Sequence, residues 1–246
     1  MESTKLPLFL LCVLLFESGY GTIPDYIKVC HRSDPKVAAC VKDSVESLRS
    51  QLVKGIPELE VPAIDPFTID EIVVFDGEEI PNLKVVLKNI VATGFGKFEI
   101  TKLKLDIEKK TYRVGVRVPF MDCQGSYDVD SKWLGTAVKT SGDFQTNATG
   151  IDGQAVIQAS VDEENHMKMD SMVMKLKVED FNFNLPNLLK EDPALAQVAK
   201  AFLDNSSKKD LLRLGMPYIE KKCSEILLKM ANKIVKNLDY DEVFPQ

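Results

Sequence analysis

The apolar positions keep a helical rhythm at both ends of the chain and a strand rhythm between them. Val37, Val41, Val45, Leu48 and Leu52 recur at spacings of three and four, which is one face of a helix. Asp34-Pro35 precedes this stripe as a start signal, and Gly55 and Pro57 end it. From about residue 68 to 183 the period falls to two. Tyr112, Val114, Val116, Val118 and Phe120 alternate with Thr111, Arg113, Gly115, Arg117 and Pro119, the clearest strand in the chain. Further strands are predicted over 69–75, 83–92, 98–107, 127–133, 154–161 and 167–183. Phe98 and Ile100 share one parity while Leu103, Leu105 and Ile107 share the other, which predicts a bulge or bend. Turns are expected at Asp76-Gly77 and Asn165-His166. Helices return with Asp192-Pro193 and the stripe Leu195, Val198, Ala199 and Phe202. A long helix over 217–238 follows, with Ile219, Cys223, Ile226, Leu227, Met230, Ile234, Val235 and Leu238 on a broad apolar face. Roughly 22 helical residues span about 33 Å, a length that one extended, bent strand pair can cover. Strands that follow one another without helices between them argue for an antiparallel sheet, so the fold class is α+β. No internal repeat or linker divides the chain.

The first residues read differently. Lys5 leads into an unbroken apolar run from Leu6 to Phe16, and Ser18, Gly19 and Gly21 follow. The run is too short for a bilayer, which takes about 20 residues, and fits a secretory signal peptide over 1–21. A single domain then fills 22–246. Loss of the leader takes one lysine and two glutamates, so the net charge moves from -6 to -5. Secretion places Cys30, Cys40, Cys123 and Cys223 in an oxidising compartment, where four cysteines allow three pairings. It also gives meaning to the acceptor motifs at Asn147 and Asn205, which predict glycosylation on exposed loops.

Composition removes most other chemistry. An acidic chain without a clustered basic stripe gives no reason to expect a nucleic-acid partner, and no segment of the mature chain is apolar enough for stable membrane insertion. Two histidines make a His-built metal site improbable, and no cofactor is implied. Nucleophile-elbow, zincin and phosphate-loop motifs are absent, so an enzyme is not expected. Asp128 and Asp130 read as a solvated strand face, Gly94 and Gly96 as a strand bend, and His31 and His166 as surface groups. Met167, Met169, Met172 and Met174 crowd one strand. They read first as core filling, although methionine also suits surfaces that adapt to varied partners.

Several segments, in order, resemble the insect takeout and juvenile-hormone-binding protein family. They are the Cys30…Cys40 pair with Asp34-Pro35, the run from Ile56 to Pro66, Asn89-Ile90-Val91-Ala92-Thr93-Gly94, Val118-Pro119-Phe120 with Gly125-Ser126-Tyr127, Phe183-Asn184-Leu185 with Leu188-Leu189, and the tail Tyr240-Asp241-Glu242-Val243-Phe244-Pro245. The resemblance covers nearly all of 23–246. It implies a long C-terminal helix wrapped by a strongly curved antiparallel sheet, and a secreted, non-enzymatic carrier of a small hydrophobic ligand, a juvenile-hormone-like terpenoid or another lipid, in an internal tunnel. It carries over a Cys30–Cys40 disulfide. Cys123 and Cys223 offer a second bond, from strand to C-terminal helix, as an analogue of the one in the hormone binders, or stay free. The segment 130–154 departs from the family pattern, which favours the broader takeout branch. On this reading Tyr112, Val114, Val116, Tyr127, Val129 and Trp133 line the tunnel from the sheet, and Phe202, Ile219, Ile226 and Met230 from the helical side. Tyr127 or Tyr112 would supply a polar contact, since tyrosine joins an apolar ring to a donor. The alternative is a secreted signalling or structural protein of the same fold, with a filled interior and a role carried by its surface.

Overall fold

A computed structural model describes residues 23–78, 81–133, 136–186, 205–236 and 238–246; the signal peptide expected over 1–21 and the helix expected from Asp192 lie outside them. Helices α1 (Val37–Ser47) and α2 (Arg49–Lys54) come first. The predicted single stripe is therefore two helices, broken at Leu48. Asp34 starts the segment as a turn, its carboxylate accepting the Lys36 amide at 2.7 Å. Six strands follow: β1 (Phe67–Asp76), β2 (Leu83–Thr93), β3 (Glu99–Asp106), β4 (Thr111–Trp133), β5 (Thr136–Val161) and β6 (Met167–Asn184). Helix α3 (Asn205–Val235) and the short α4 (Tyr240–Val243) close the chain. The expected order of helices, antiparallel strands and a long C-terminal helix holds.

All the pairings are antiparallel, and the main path through the sheet is β1-β2-β4-β5-β6. The β4–β5 ladder runs unbroken from Thr111 opposite Gln158 to Trp133 opposite Thr136. The strands expected over 111–120 and 127–133 are thus one strand, and the stretch before 154, expected as a loop, is the first part of β5. Its polar residues mislead because alternate positions are small: Gly142, Thr146 and Ala148 stand two or four residues from the buried Phe144. The bulge expected in β3 is present, as a register shift against β4 between Ile100 and Lys102. Gly77 and Asn165, both at positive φ, make the expected turns.

One edge of β4 is shared. β3 pairs with 111–117 and β2 with 122–131, and a short turn at Phe95–Lys97 fills the hand-over. Gly94 enters that turn at φ +104, where a Cβ would stand 2.3 Å from the Phe120 carbonyl oxygen. Asp65 holds the turn by accepting the amides of Gly94 at 3.1 Å and Gly96 at 2.9 Å. Both glycines are structural, as expected.

Helix α3 packs against β6 and β1, the two ends of the curled sheet. Its side of the β6 junction is polar. Glu220 accepts the Leu176 amide at 2.8 Å, Ser224 accepts the Met174 amide at 3.1 Å, and Asn232 accepts the Met169 amide at 2.9 Å while donating to the Met169 carbonyl at 2.8 Å. An unpaired strand edge left against a helix would bury backbone groups without partners. These side chains, four and eight residues apart on one helix face, supply the partners instead. Near β1, Tyr218 donates to Asp76 at 3.0 Å. The helix extends twelve residues N-terminal of the expected start, with Pro217 inside it.

Candidate binding interior

The inner face of the sheet is built in cross-strand rows. The registers place Leu105, Tyr112, Ile157 and Met172 side by side, then Leu103, Val114, Ala155 and Met174, then Ile100, Val116, Gly153 and Leu176. Every member is apolar apart from the Tyr112 hydroxyl. The outer face of the same strands carries the charge. Arg117 bridges to Asp152 and Glu179, Lys88 to Asp128 and Lys139 to Asp130, so the two aspartates belong to a solvated face as expected.

Packing along this interior is uneven. At one end Tyr112, Ala159, Met167, Val235, Tyr240 and Phe244 form a buried cluster, with Val37 and Val41 of α1 packed against it. The C-terminal segment covers this end. Phe244 stacks on Tyr112 with ring centroids 6.5 Å apart, and the disulfide loop fastens the segment in place. Arg32 lies 2.8 Å from Asp241 and over the Tyr240 ring, and its amide donates to the Pro245 carbonyl at 2.8 Å. The Cys30–Cys40 bond is formed, with its Cα atoms 5.8 Å apart. At the other end Ile72, Ile90, Tyr127 and Phe144 are buried, joined by Val129, Cys123 and Phe183. Gly142 gives Tyr127 its place, since a Cβ there would lie 2.9 Å from the Tyr127 oxygen. Phe144 stacks on Phe183 at 5.5 Å. Between the ends Ile100 and Val118 are buried, but Val114, Val116, Met172, Met174 and Leu176 are only partly buried, as are Ile219, Ile226 and Met230 on α3. Among the described residues, none of these is packed against either cluster.

The sequence-predicted lining therefore divides. Val114 and Val116 lie in the partly covered middle, and Ile219, Ile226 and Met230 are among the partly buried residues of α3. Tyr112 closes one end. Tyr127 and Val129 belong to the opposite packed end. The side chains of Trp133 and Asn205, and all of Phe202, lie outside the described residues. Sequence reasoning missed Ala155, Gly153 and Leu176, although strand parity signals them, and read Met172 and Met174 as core filling. Asn147 lies in β5 rather than a loop, with Asn182 donating to its Oδ1 at 3.2 Å.

The Tyr112 hydroxyl is buried without a hydrogen-bond partner among the described residues. Burial, reinforced by Tyr240, pushes its pKa well above the ordinary value, so it stays protonated and can donate. Cys123 and Cys223 are free thiols, so the second disulfide offered by the sequence is not formed. They belong to different surroundings: Cys123 packs with the Tyr127 end, and Cys223 sits on α3 near Glu220. Burial raises both to about 11, with Glu220 adding to the effect at Cys223, so both are neutral at physiological pH. The middle of the interior thus offers apolar side chains, a buried hydroxyl donor at one end, and no charge in its rows.

The sequence profile of the family described as haemolymph juvenile hormone binding protein matches residues 9–245. The chain belongs to this family. A putative beta-carotene-binding protein of Schistocerca gregaria is 20% identical over 224 residues, covering 89% of this chain and 88% of its own. The circadian clock-controlled protein daywake of Drosophila yakuba is 23% identical over 241 residues, with 90% and 88% covered. Among solved structures, Takeout 1 of Epiphyas postvittana superposes with a TM-score of 0.71 at 20% identity, over 89% of this chain and all of the other. That likeness establishes the fold, a curled antiparallel sheet with a C-terminal helix. For a member of the juvenile hormone binding protein family, the uneven packing is the informative feature, because it separates the residues that hold the ends from those left partly covered.

Proposed function

We propose that the protein is a secreted carrier that holds one small, uncharged hydrophobic molecule between α3 and the middle rows of the sheet. The observation that supports this most directly is the run of apolar, partly buried side chains on both walls between two packed ends. A filled core of this length would bury them. Family membership and the name of the locust relative, a putative beta-carotene-binding protein, point the same way. The signal peptide read over 1–21 and the formed Cys30–Cys40 bond fit an oxidising, extracellular destination.

The energetics set the demands on the site. Burial of about 300 Å² of ligand contributes about 7 kcal/mol at ~25 cal/mol/Å², and lost ligand freedom opposes part of it. Micromolar affinity takes about 8 kcal/mol. Area alone falls short, so shape and a placed polar group must contribute. Tyr112 is the residue for that role, since its buried hydroxyl lacks a partner until a ligand carbonyl, hydroxyl or epoxide oxygen accepts from it. Turnover is not expected: the row residues include no nucleophile and base pair.

Purified secreted protein, extracted with organic solvent and examined by mass spectrometry, should release a lipid. The emptied protein should then take up an apolar fluorescent probe at one per chain, and juvenile hormone or a long-chain fatty acid should displace it. Absence of both lipid and uptake in folded protein would refute the carrier and favour a surface role.

A further inference from the structure

The chain is acidic as a whole, but its charge is unevenly placed. Residues 205–236 hold seven lysines, one arginine, two glutamates and one aspartate, a net charge of +5 in a chain of net charge -6. Within α3 the exposed positions Arg213, Lys221, Glu225, Lys229 and Lys233 recur at intervals of four or eight, with Lys236 just beyond the helix. They form one continuous outward stripe. Arg213 pairs with Asp210 at 3.4 Å and Lys233 with Glu60 at 3.2 Å. Lys229 and Lys236 have no ion pair among the described residues, and Lys221 has none in direct contact, its charge acting on Asp76 from a distance. The adjoining outer face of β6 adds Lys175 and Lys177, both exposed, beside Asp152 and Glu179, which pair with Arg117. The Lys175 ammonium leans 2.7 Å from Glu220 on α3, which ties the two surfaces together.

Beside this stripe lies an apolar feature that the fold does not use. Val173 is 61% exposed and Val156, its cross-strand partner, 43% exposed. Val173 precedes Met174, whose amide binds Ser224 of α3, so the valine pair sits next to the helix and is flanked in sequence by Lys175. Cations around a small exposed apolar pair are what an anionic lipid surface attracts and accommodates.

We infer that the outer face of α3, with Lys175, Lys177 and the Val156–Val173 pair, docks the protein on anionic lipid surfaces. No helix among the described residues is long and apolar enough to cross a membrane, so this contact is peripheral and reversible. It goes beyond the carrier reading and does not depend on the interior being hollow, because every group it uses lies on the outside.

The test is sedimentation of the mature protein with phosphatidylcholine vesicles containing 30% phosphatidylserine, against pure phosphatidylcholine vesicles, at low and physiological salt. Binding is expected only with phosphatidylserine and should weaken as salt rises. Each lysine near such a surface contributes about a fivefold change in partition. The triple variant Lys221→Gln, Lys229→Gln, Lys236→Gln should therefore bind about a hundredfold more weakly. A control with the same charge change on the β3 hairpin, Lys102→Gln, Lys104→Gln, Lys109→Gln, should bind like the parent to within a few-fold. Circular dichroism checks that both variants fold. Equal loss in the two triples would show a response to net charge and overturn the assignment. So would unchanged binding of the α3 triple, or equal binding of the parent to both kinds of vesicle. The probe-uptake assay on the same α3 triple separates the two readings: carrier capacity should be unaffected whether or not docking fails.

Discussion

Substitution of Ala155 by phenylalanine distinguishes a hollow middle from a filled one through the sign of its effect. Ala155 stands in a row between Val114 and Met174, one row from Gly153, where the side chains of the sheet are smallest. A phenyl ring placed there removes on the order of 100 Å² of apolar surface from water. In an empty space this stabilises the folded state by about 2.5 kcal/mol. In a filled core the same ring overpacks and destabilises by about 1–3 kcal/mol. A 1 kcal/mol change moves the melting temperature of a domain this size by roughly 2–4 °C, so the two cases lie on opposite sides of the parent and are separable by calorimetry of delipidated protein. The hollow interior predicts a higher Tm together with at least a tenfold loss of probe affinity, because ring and probe compete for one volume. A fall in Tm of several degrees, or a rise with probe affinity unchanged, refutes the placement of the ligand in these rows.

Other perturbations test individual groups. Tyr112→Phe should leave stability unchanged or slightly higher, since it deletes a buried hydroxyl without a partner; affinity should fall about five- to tenfold for a ligand with an oxygen acceptor and not for a plain hydrocarbon. Ser224→Ala removes the acceptor of the Met174 amide and should cost about 1–2 kcal/mol in denaturant titration, with faster hydrogen exchange at that amide. Cys123 and Cys223 should resist thiol reagents near neutral pH and react as pH approaches 11. Because the folded chain holds these protons more tightly than the unfolded chain, whose thiols titrate near 9, stability should decline as pH rises between about 9 and 11. Replacing Cys30 and Cys40 by serine should cost about 3 kcal/mol, the loop-closure contribution for a bridge spanning ten residues.

Periodicity made much of this architecture legible. Alternation along Tyr112–Val118 and the parity change in 98–107 correspond to β4 and the β3 bulge because both report which face is buried, and burial follows local geometry; Phe120, at the end of the same alternation, is 44% exposed. The first part of β5 was hidden for a related reason. Its inward positions include Gly142, Thr146 and Ala148, so alternation existed without an apolar signal, and the aromatic mass filling that space comes from Tyr127 and Phe144. The hand-over between β3 and β2 along one edge of β4 is a pairing between distant segments, and no local pattern encodes it. Glu220, Ser224 and Asn232 also escaped notice. Polar residues on a buried helix face read as errors in an apolar stripe until a strand edge needing donors and acceptors is seen beside them. The lining candidates divide in the same way: parity identifies Val114, Val116, Tyr127 and Val129 alike as inward, and only the structure shows that Tyr127 and Val129 join the packed cluster at one end.

On the proposed carrier reading, the cohesion of the wall explains how the middle can stay loosely packed. Backbone ladders hold the sheet to itself, and the β4–β5 ladder alone joins 111–133 to 136–158. Side-chain hydrogen bonds from α3 satisfy the free edge of β6. Buried aromatics anchor both ends, Tyr112 with Tyr240 and Phe244 at one and Tyr127 with Phe144 at the other. None of these contributions requires dense packing at Val114, Ala155 or Met174. In an ordinary two-layer domain those central positions supply much of the hydrophobic stabilisation, and emptying them costs several kcal/mol per large side chain. Here that cost is moderated because small residues, Ala155 and Gly153, already occupy the centre and the flexible Met172 and Met174 flank it. Methionine fills irregular space without demanding one shape, so on the proposed carrier reading the same wall would close partly over an empty interior and re-form around ligands of different outline. Replacement of both methionines by leucine should therefore narrow the range of ligands accepted while changing Tm little, a combination that dense core packing would not produce.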